Sequence, residues 1–528
     1  MRTSQWPDNP VIYQIYPRSF KDTSGTGEGD LRGVLESLDH VASLGVDAIW
    51  LSPFYCSPMC DGGYDVADHF DVDPRFGTLE DFDAVLHRAH DLGLCVMVDL
   101  VLNHTSDTHD WFGKSLAREE GYENVYVWAD AKPDGSPPTN WLSFFGEPAW
   151  RWFPQRQQYC LTKFLPCQPC LNHYDDDVAA RLEDITKFWR KRGVDGFRYD
   201  AVTSFFHDAK LRDNPVASQE ERELIPGPAT NPFTYQRHVY DARPEDCAAF
   251  ATNLRKMAGS DAFLLAEVNE GPRSVEVLRD FTSEGRFDAG YSVDLPERGP
   301  RQDVIADILD RLDDGGGFAW WLSCHDQERH VSSHGDGSAR HAKLFAALLC
   351  ALPGPLLLFQ GEELGQPQAK LTREDLHDPF DKMYWPDPMG RDGSRAPMAW
   401  DSTLPHAGFS TVKPWLPMAH PEDGGAQQQA GSPDSVLSFY RQALAIRRKL
   451  GVADGKITLS TSPDDTILAR IELATGCMSA AINMGSDEWQ HDMGGAKLLL
   501  SSAALPSDDH LPPWSAAWFM EPPGDPSD

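Results

Sequence analysis

The chain has 528 residues, and 47 Lys and Arg against 81 Asp and Glu give it a formal net charge of −34 at pH 7. This balance argues against nucleic acid and membrane surfaces as partners, because both are bound through Lys and Arg. With 41% hydrophobic residues the sequence predicts a globular protein with large cores.

The sequence also predicts a cytoplasmic location. No apolar segment of signal-peptide length follows Met1, and the longest apolar run, 344–359, is interrupted by Pro353 and Pro355. That run is too short to cross a bilayer. Ten cysteines in a chain of this length are too few for a disulfide scaffold, so we expect reduced thiols.

Short apolar runs alternate with amphipathic stretches from the N-terminus onward. Strands are predicted at 11–16, 47–51, 94–99, 194–198, 262–266, 287–291, 318–323 and 355–359, and helices at 31–44, 79–92, 178–192 and 435–450. The strand runs are apolar nearly throughout, as in strands that are covered on both faces. Eight such strands with helices between them predict an α/β fold, a (β/α)8 TIM barrel.

Two parts of the chain depart from this rhythm. Residues 105–171 are rich in Trp, Pro and Gly and are too long for a loop, which predicts an inserted subdomain after the third strand. Short alternating runs follow residue 451 and predict a C-terminal antiparallel β domain of the sandwich type. The predicted domains are the barrel over 1–104 and 172–451, the insertion over 105–171, and the sandwich over 452–528.

Polar side chains follow four of the predicted strands, in the segments 99–104 (DLVLNH), 196–200 (GFRYD), 264–267 (LLAE) and 323–326 (SCHD). In a closed parallel barrel the loops after the strands converge on one face, where catalytic groups lie. Any one of these acids has an alternative role as a helix cap. Their occurrence at several strand ends predicts one shared pocket.

Carboxylates with an arginine and histidines suit glycoside cleavage, in which one carboxyl group attacks the sugar and another protonates the leaving oxygen. Arg198 lies two residues before Asp200 and therefore on the same strand face, where it keeps Asp200 ionised as the nucleophile. Glu267, which has the longer reach, is then the acid and base, with a pKa raised by burial or by a neighbouring carboxylate.

These four segments resemble the signature segments of the α-amylase superfamily, glycoside hydrolase family 13, in its α-glucosidase and oligo-1,6-glucosidase branch. The resemblance extends over almost the whole chain and includes the segments 11–20 (VIYQIYPRSF), 73–78 (DPRFGT), 168–172 (QPCLN), 360–364 (QGEEL) and 390–398 (GRDGSRAPM). It implies a retaining mechanism that releases glucose from the nonreducing end of short α-glucosides, whether maltose-like, isomaltose-like or sucrose.

The resemblance also implies roles for individual residues. Asp200 would form the covalent glucosyl-enzyme, Glu267 would protonate the leaving group and activate water, and Asp326 would hold sugar hydroxyls. The positions that match glucose-binding residues of the family are Asp61, Tyr64, His104, Phe145, Phe164, Arg198, His325 and Arg395. For the aromatic residues among them, core packing is the alternative.

Three alternative functions stay open at this point: a glucosyltransferase, a sucrose isomerase, and a non-catalytic relative. The non-catalytic relatives carry a membrane anchor and have generally lost catalytic residues. This chain shows no such anchor and keeps Asp200, Glu267 and Asp326, which favours an enzyme.

The chemistry itself needs no cofactor, but two candidate metal sites follow from the sequence. The loop 22–30 resembles the family's Ca²⁺ or Mg²⁺ loop, with Asp22, Ser24, Thr26, Glu28 and Asp30 at the ligand positions. Ser24 and Thr26 stand where the family has stronger ligands, and a hard cation prefers charged or carbonyl oxygens. Cys56, Cys60, Cys167 and Cys170 have the residue types of a zinc site, although free thiols are the favoured interpretation.

Overall fold

The computed structural model describes residues 6–225, 227–313, 316–491, 495–507 and 509–521. Its centre is a curled parallel sheet of seven strands, Val11–Ile15, Ala48–Leu51, Cys95–Leu100, Gly196–Tyr199, Phe263–Glu267, Ala289–Tyr291 and Leu356–Phe359. The first strand pairs with both the second and the last, with Ile12 opposite Ala48 and Val11 opposite Leu356. The sheet therefore curls back on itself, and the predicted barrel class is confirmed.

The predicted eighth strand, 318–323, is wrong as a regular strand. Phe318 forms a single parallel bridge with Gly290, and Trp320 forms another with Leu356. The backbone N–H of Ala319 donates to the Gly290 carbonyl (2.8 Å), and that of Trp320 donates to the Pro355 carbonyl (2.9 Å). The ring is thus closed by isolated bridges, because this segment pairs with each neighbour over too few residues to make a ladder.

Alternate residues of the barrel strands lie on opposite sides of the sheet, as the period of two requires. One set, including Ile12, Trp50, Met97 and Leu265, fills the barrel lumen. The other set, including Tyr13, packs outward against the surrounding helices. Because the lumen is filled, only the ends of the strands are available for a site.

Fifteen α-helices lie in the described part of the chain. The longer ones are Leu31–Ser43, Leu79–Asp91, Asp110–Leu116, Asp176–Arg192, Pro244–Ala258, Ser274–Phe281, Gln302–Leu312, Ala339–Ala351 and Val436–Leu450. Short ones are Gln219–Arg222, Asp294–Arg298, His330–Ser333, Pro379–Tyr384, Arg391–Ser394 and Ala426–Ala430. The helix after the first strand begins where the Asp30 carboxylate accepts from the Gly33 N–H, and Thr78 and Asp81 form a capping box for the next long helix.

The segment between the third and fourth barrel strands carries a small antiparallel sheet of Trp128–Ala129, Gln158–Leu161 and Trp150–Phe153. A second small sheet joins Tyr55–Cys56 to Asp68–Val72. Both lie in loops that follow barrel strands and thus build up the catalytic face. The domain boundaries stay a prediction.

The predicted C-terminal antiparallel domain is confirmed, with five paired strands, Lys456–Ser460, Thr466–Leu473, Gly476–Asn483, Ser515–Met520 and Lys497–Ser501. One face packs on the barrel, where Trp518 Nε1 donates to the Ala347 carbonyl (3.2 Å). Against the other face lies a ribbon of Trp489–Gln490 and His510–Leu511. The second layer is therefore a two-stranded ribbon, smaller than the matching sheet of a sandwich. In the described chain, every helix is too short or too polar to span a bilayer.

Candidate active site

A cavity of about 380 Å³ opens where the barrel strands end. Nine of the eleven predicted catalytic and substrate-binding residues line it: Asp61, Tyr64, His104, Phe145, Phe164, Asp200, Glu267, His325 and Asp326. The other two, Arg198 and Arg395, lie behind this lining and hold its carboxylates. The four strand ends that the sequence singles out therefore do meet at one pocket.

Arg198 is the centre of the acidic cluster and is fully buried. Its Nη1 donates to Asp99 Oδ1 and to Asp200 Oδ1, both at 2.7 Å, and its Nε donates to the Tyr291 hydroxyl (3.0 Å). Nη2 lies 2.7 Å from Glu267 Oε2 as an ion pair, outside hydrogen-bond alignment. A single guanidinium thus orients three carboxyl groups.

The charge of this cluster controls its protonation. Burial raises the pKa of Asp200 well above its usual value, Arg198 lowers it, and Glu267 and Asp99 raise it again. Burial likewise raises the pKa of Asp99 to about 6, against the effect of Arg198. Three ionised carboxylates around one cation would leave uncompensated charge away from water, so we expect the cluster to retain a proton near neutral pH. Glycoside cleavage requires one protonated and one ionised carboxyl group.

Asp200 and Glu267 project from adjacent strands. Asp200 directly follows Gly196–Tyr199 and Glu267 ends Phe263–Glu267, and these two strands pair in parallel. The Ala201 N–H donates to Glu267 Oε2 (2.9 Å), and Asn269 Nδ2 donates to Oε1 (3.2 Å). Ala201 has a φ of 43°, which is unusual for a residue with a side chain. The turn after Asp200 is thus held in a strained conformation that aims an N–H at Glu267.

Asp326 lies in a cationic setting. Its Oδ1 accepts from Arg391 Nε (2.9 Å) and Arg395 Nη2 (2.7 Å), and His325 Nε2 lies 3.2 Å from its Oδ2. Burial alone raises the pKa of Asp326, but Arg391, His325 and Arg395 together lower it well below its usual value. Asp326 therefore stays ionised and is a strong acceptor for hydroxyl groups.

Arg391 is the functional residue that the sequence analysis missed. It lines the cavity, whereas Arg395 lies behind Asp326. Both guanidinium groups also contact Asp378 Oδ2, at 3.2 and 3.1 Å. The signal was present in the segment 390–398, because arginines four residues apart lie on one side of a helical turn and reach the same partner.

Asp61 lies at the same end of the cavity and has one unused oxygen. Gln168 Nε2 donates to Asp61 Oδ2 (2.9 Å), whereas Oδ1 is buried without a hydrogen-bond partner in the described residues. Burial raises the pKa of Asp61 to about 6, against the nearby Arg391, whose Nη1 is 3.8 Å from Oδ1. A buried acceptor of this kind needs a donor.

The histidines of the site are neutral. Burial lowers the pKa of His104 to about 4 and that of His325 to about 3. Gln14 Nε2 donates to His325 Nδ1 (2.8 Å), which assigns the ring proton to Nε2, 2.6 Å from the Tyr64 hydroxyl. Tyr64 in turn donates to Asp99 Oδ2 (3.1 Å). This relay fixes the Tyr64 ring at the cavity wall.

The remaining wall is aromatic and aliphatic. Phe145 is buried and packs with Phe380, and Phe164 is half-buried beside His104; both also line the cavity. For Phe145 the core-packing and pocket-wall interpretations therefore both apply. The cavity also has an apolar wall that the motifs did not indicate, formed by Leu142, Phe144, Ile225, Phe233, Val239 and Met389.

The predicted cation loop does not fit a cation as folded. Asp22 accepts from the N–H groups of Gly25 (2.8 Å) and Gly27 (2.8 Å) and from the Ser24 hydroxyl (3.1 Å). Asp30 accepts from backbone N–H groups through both carboxylate oxygens, and Glu28 Oε1 pairs with Arg18 Nε (3.0 Å). Thr26 donates to the Glu28 carbonyl. Donors of the chain thus occupy the oxygens that a cation would need.

The four cysteines of the zinc alternative do not converge. Cys56 Sγ donates to the Val72 carbonyl (3.5 Å), and Cys170 Sγ accepts from the Lys163 N–H (3.4 Å). Of the four, Cys60 and Cys167 line one surface cleft together. No group of three or more His, Cys, Asp or Glu residues in the described ranges is arranged to hold a metal ion.

Comparisons with known proteins agree with this geometry. The catalytic domain of alpha-amylase matches residues 14–454. A probable alpha-glucosidase of Rhizobium meliloti (strain 1021) is 48% identical over 455 residues, which cover 84% of this chain and 82% of the relative. An oligo-1,6-glucosidase of Heyndrickxia coagulans is 34% identical over 500 residues, covering 86% of this chain and 88% of the relative.

Solved structures extend the similarity over nearly the full chain. The alpha-glucosyl transfer enzyme XgtA has a TM-score of 0.92 at 39% identity, covering 98% of this chain and all of its own. The trehalulose synthase MutB has a TM-score of 0.87 at 29% identity, with 98% of this chain covered and all of its own. The chain belongs to the α-amylase family of glycoside hydrolases, glycoside hydrolase family 13.

Proposed function

We propose that this protein is a retaining, exo-acting α-glucosidase that releases glucose from the nonreducing end of short α-glucosides. The observation that carries the proposal is the anchoring of Asp200 and Glu267 on one guanidinium, at the edge of one cavity. Retaining enzymes need carboxyl groups about 5–5.5 Å apart, closer than inverting enzymes, which place a water between them. Two carboxylates on the same arginine suit the shorter separation.

The mechanism follows from the contacts of each carboxyl group. Asp200, hydrogen-bonded to Arg198, attacks the anomeric carbon and forms the glucosyl-enzyme. Glu267 gives its proton to the leaving oxygen and then takes one from the incoming water, as microscopic reversibility requires. The aglycone side of the cavity lies toward Asn269 and Glu270, which follow Glu267 in the lining.

The other end of the cavity supports exo action. Asp61, Asp326 and Arg391 present charged groups there, and these hydrogen-bond best to the several hydroxyls of a terminal glucose. A volume of about 380 Å³ is near the lower limit for ligand pockets and favours short substrates over starch. Linkage preference among maltose-like, isomaltose-like and sucrose substrates is not part of the proposal.

Glucosyl transfer is a second candidate activity, because it uses the same glucosyl-enzyme. The apolar wall of the cavity, with Phe144 and Phe233, favours binding of an acceptor other than water. One structural neighbour, XgtA, is itself an alpha-glucosyl transfer enzyme, and the neighbour MutB has been solved with the substrate sucrose.

Two further elements of the proposal concern the setting of the reaction. Nucleophile and proton donor are both side chains, so we propose catalysis without a cofactor. The chain has only ten cysteines among 528 residues, too few for a disulfide scaffold, which supports a reducing compartment such as the cytoplasm.

The test is the anomeric form of the first glucose released from maltose, isomaltose and sucrose, followed by NMR during the first turnovers. A retaining enzyme releases α-glucose before mutarotation, and initial β-glucose would overturn the proposal. Chromatography of the same reactions at high substrate concentration separates free glucose from longer transfer products. If Glu267→Gln kept the turnover rate of the wild type, that result would also contradict the assignment of Glu267 as the acid and base.

A further inference from the structure

A pair of thiols lies beside the glucose end of the pocket, in a separate cleft on the outer surface. Cys60 and Cys167 both line this cleft, and each thiol lies within interaction range of the other. Cys60 is exposed and Cys167 is half-buried. The two residues are far apart in the sequence, and only the packing of the inserted segment against the loop after the second strand brings them together.

Each cysteine directly precedes a residue of the site. Cys60 precedes Asp61, which lines the pocket, and Cys167 precedes Gln168, which donates to Asp61 Oδ2 (2.9 Å). Gln168 Nε2 also lies 3.1 Å from His104 Nε2. The thiol contact and the Asp61–Gln168 hydrogen bond are therefore parallel connections between the same two segments.

We propose that Cys60 and Cys167 form a two-thiol modification site, which thiol oxidants of the diazene or peroxide class convert into a disulfide that perturbs glucose binding by Asp61. With a diazene such as diamide, two S–H bonds break and one S–S bond forms, and the reagent takes up two protons and two electrons to become a hydrazine. This inference rests on the proposed function only for its effect on activity.

The geometry explains why closing the bond reaches the pocket. A disulfide is about 2.05 Å long and holds the Cβ atoms about 3.8 Å apart, so two thiols that are not yet bonded must move closer. Asp61 and Gln168 are covalent neighbours of the moving residues and shift with them. Displacing a substrate-positioning group by about 1 Å can cost up to a hundredfold in activity.

The surroundings of the two thiols slow their oxidation. Burial raises the pKa of both thiols, and the Asp65 carboxylate, which contacts the Cys60 N–H (2.9 Å), raises the pKa of Cys60 further. Because the thiolate is the nucleophile, oxidation is best carried out at about pH 8.5. The open cleft gives a small reagent access to Cys60.

The experiment treats the purified full-length enzyme with diamide and maps its peptides without reduction. We expect a cross-linked peptide pair containing Cys60 and Cys167, and a kcat/KM for a nitrophenyl α-glucoside that falls roughly tenfold and recovers with dithiothreitol. Cys60→Ser should keep near-wild-type basal activity and resist diamide. Cys56→Ser is the matched control, because this half-buried thiol lies on the same segment as Cys60 but donates to the Val72 carbonyl (3.5 Å), and it should respond like wild type.

A second probe reports on the pair without oxidation. Phenylarsine oxide bridges two adjacent thiols with loss of one water, and we expect one equivalent to bind wild type and none to bind Cys60→Ser. Failure to find the cross-link after full oxidation, or equal inhibition of wild type and Cys60→Ser, would overturn the inference. An enzyme that cross-links but never cleaves glucosides would instead contradict the proposed function alone.

Discussion

Two groups of carboxylates at the barrel face are bound by the chain in opposite ways. In the loop of Asp22 to Asp30, after the first strand, the carboxylate oxygens accept from backbone N–H groups and hydroxyls of their own loop. At the ends of the fourth and fifth strands, Asp200 and Glu267 contact the Arg198 guanidinium and also line the open cavity. The comparison teaches that carboxylates bind external ligands only where the chain leaves their oxygens unsatisfied.

The pKa directions reflect the same difference. Although burial opposes it, hydrogen bonds from Ser410 and from the N–H groups of Gly27 and Gly25 lower the pKa of Asp22. Burial raises the pKa of Asp200 against the effect of Arg198, and the neighbouring Glu267 and Asp99 raise it further. The fold thus stabilises the ionised form of Asp22, whereas burial at the cavity destabilises the ionised form of Asp200.

The largest expected effect comes from making the same substitution at Asp200 and at Asp22. Asp200→Asn removes the nucleophile, and kcat for a nitrophenyl α-glucoside should fall at least about 10⁴-fold with little change in melting temperature. Asp22→Asn is the matched control, the same change in the other loop, and should keep kcat within about twofold. Comparable losses of kcat in both variants would remove the distinction.

A smaller effect distinguishes the two arginines at Asp326. Arg391→Lys loses the fork that contacts Asp326 and the pocket, so kcat/KM should fall about a hundredfold. Arg395→Lys leaves the pocket lining intact, and we expect a loss of about tenfold. Steady-state kinetics of the two variants provide the test, and a larger loss at Arg395 would contradict the ranking.

The pH dependence of activity tests the protonation of the buried carboxyl groups Asp61 and Asp99. Burial raises the pKa of Asp61 and of Asp99 to about 6, and the ionised forms are the ones that accept from sugar hydroxyls and from Arg198. We therefore expect kcat/KM to fall as the pH drops through about 6, by about tenfold per unit for one group. Initial rates at constant ionic strength measure this. An acid limb centred near pH 4, in the usual carboxyl range, would show that burial does not control these groups.

The smallest effect concerns the first loop. Because donors of the chain occupy its oxygens, a chelator should change neither activity nor melting temperature measurably. Asp22→Asn should lower the free energy of unfolding by roughly 1–3 kcal/mol, since it weakens several buried hydrogen bonds. Metal analysis of the purified protein and thermal unfolding with and without chelator check this. Stoichiometric Ca²⁺ or Mg²⁺ whose removal destabilises the protein would restore the sequence-based expectation.

The residues of the candidate site that lie at strand ends were predictable from the sequence. Arg198, Asp200 and Glu267 follow or end apolar runs, so their convergence is a consequence of barrel topology. Arg391 was harder to identify because the segment 390–398 offers two arginines, and only the turn Arg391–Ser394 decides which one lines the pocket.

The sequence by itself determined the barrel, the C-terminal sheet and the carboxylates at the strand ends, because apolar periodicity and the residues at strand ends are local properties. Tertiary structure alone decided how the ring closes at Phe318 and Trp320, where the Asp22 oxygens point, and that Cys60 meets Cys167. Each of these depends on which donors and side chains distant segments bring within a few ångströms, and one-dimensional spacing does not encode that.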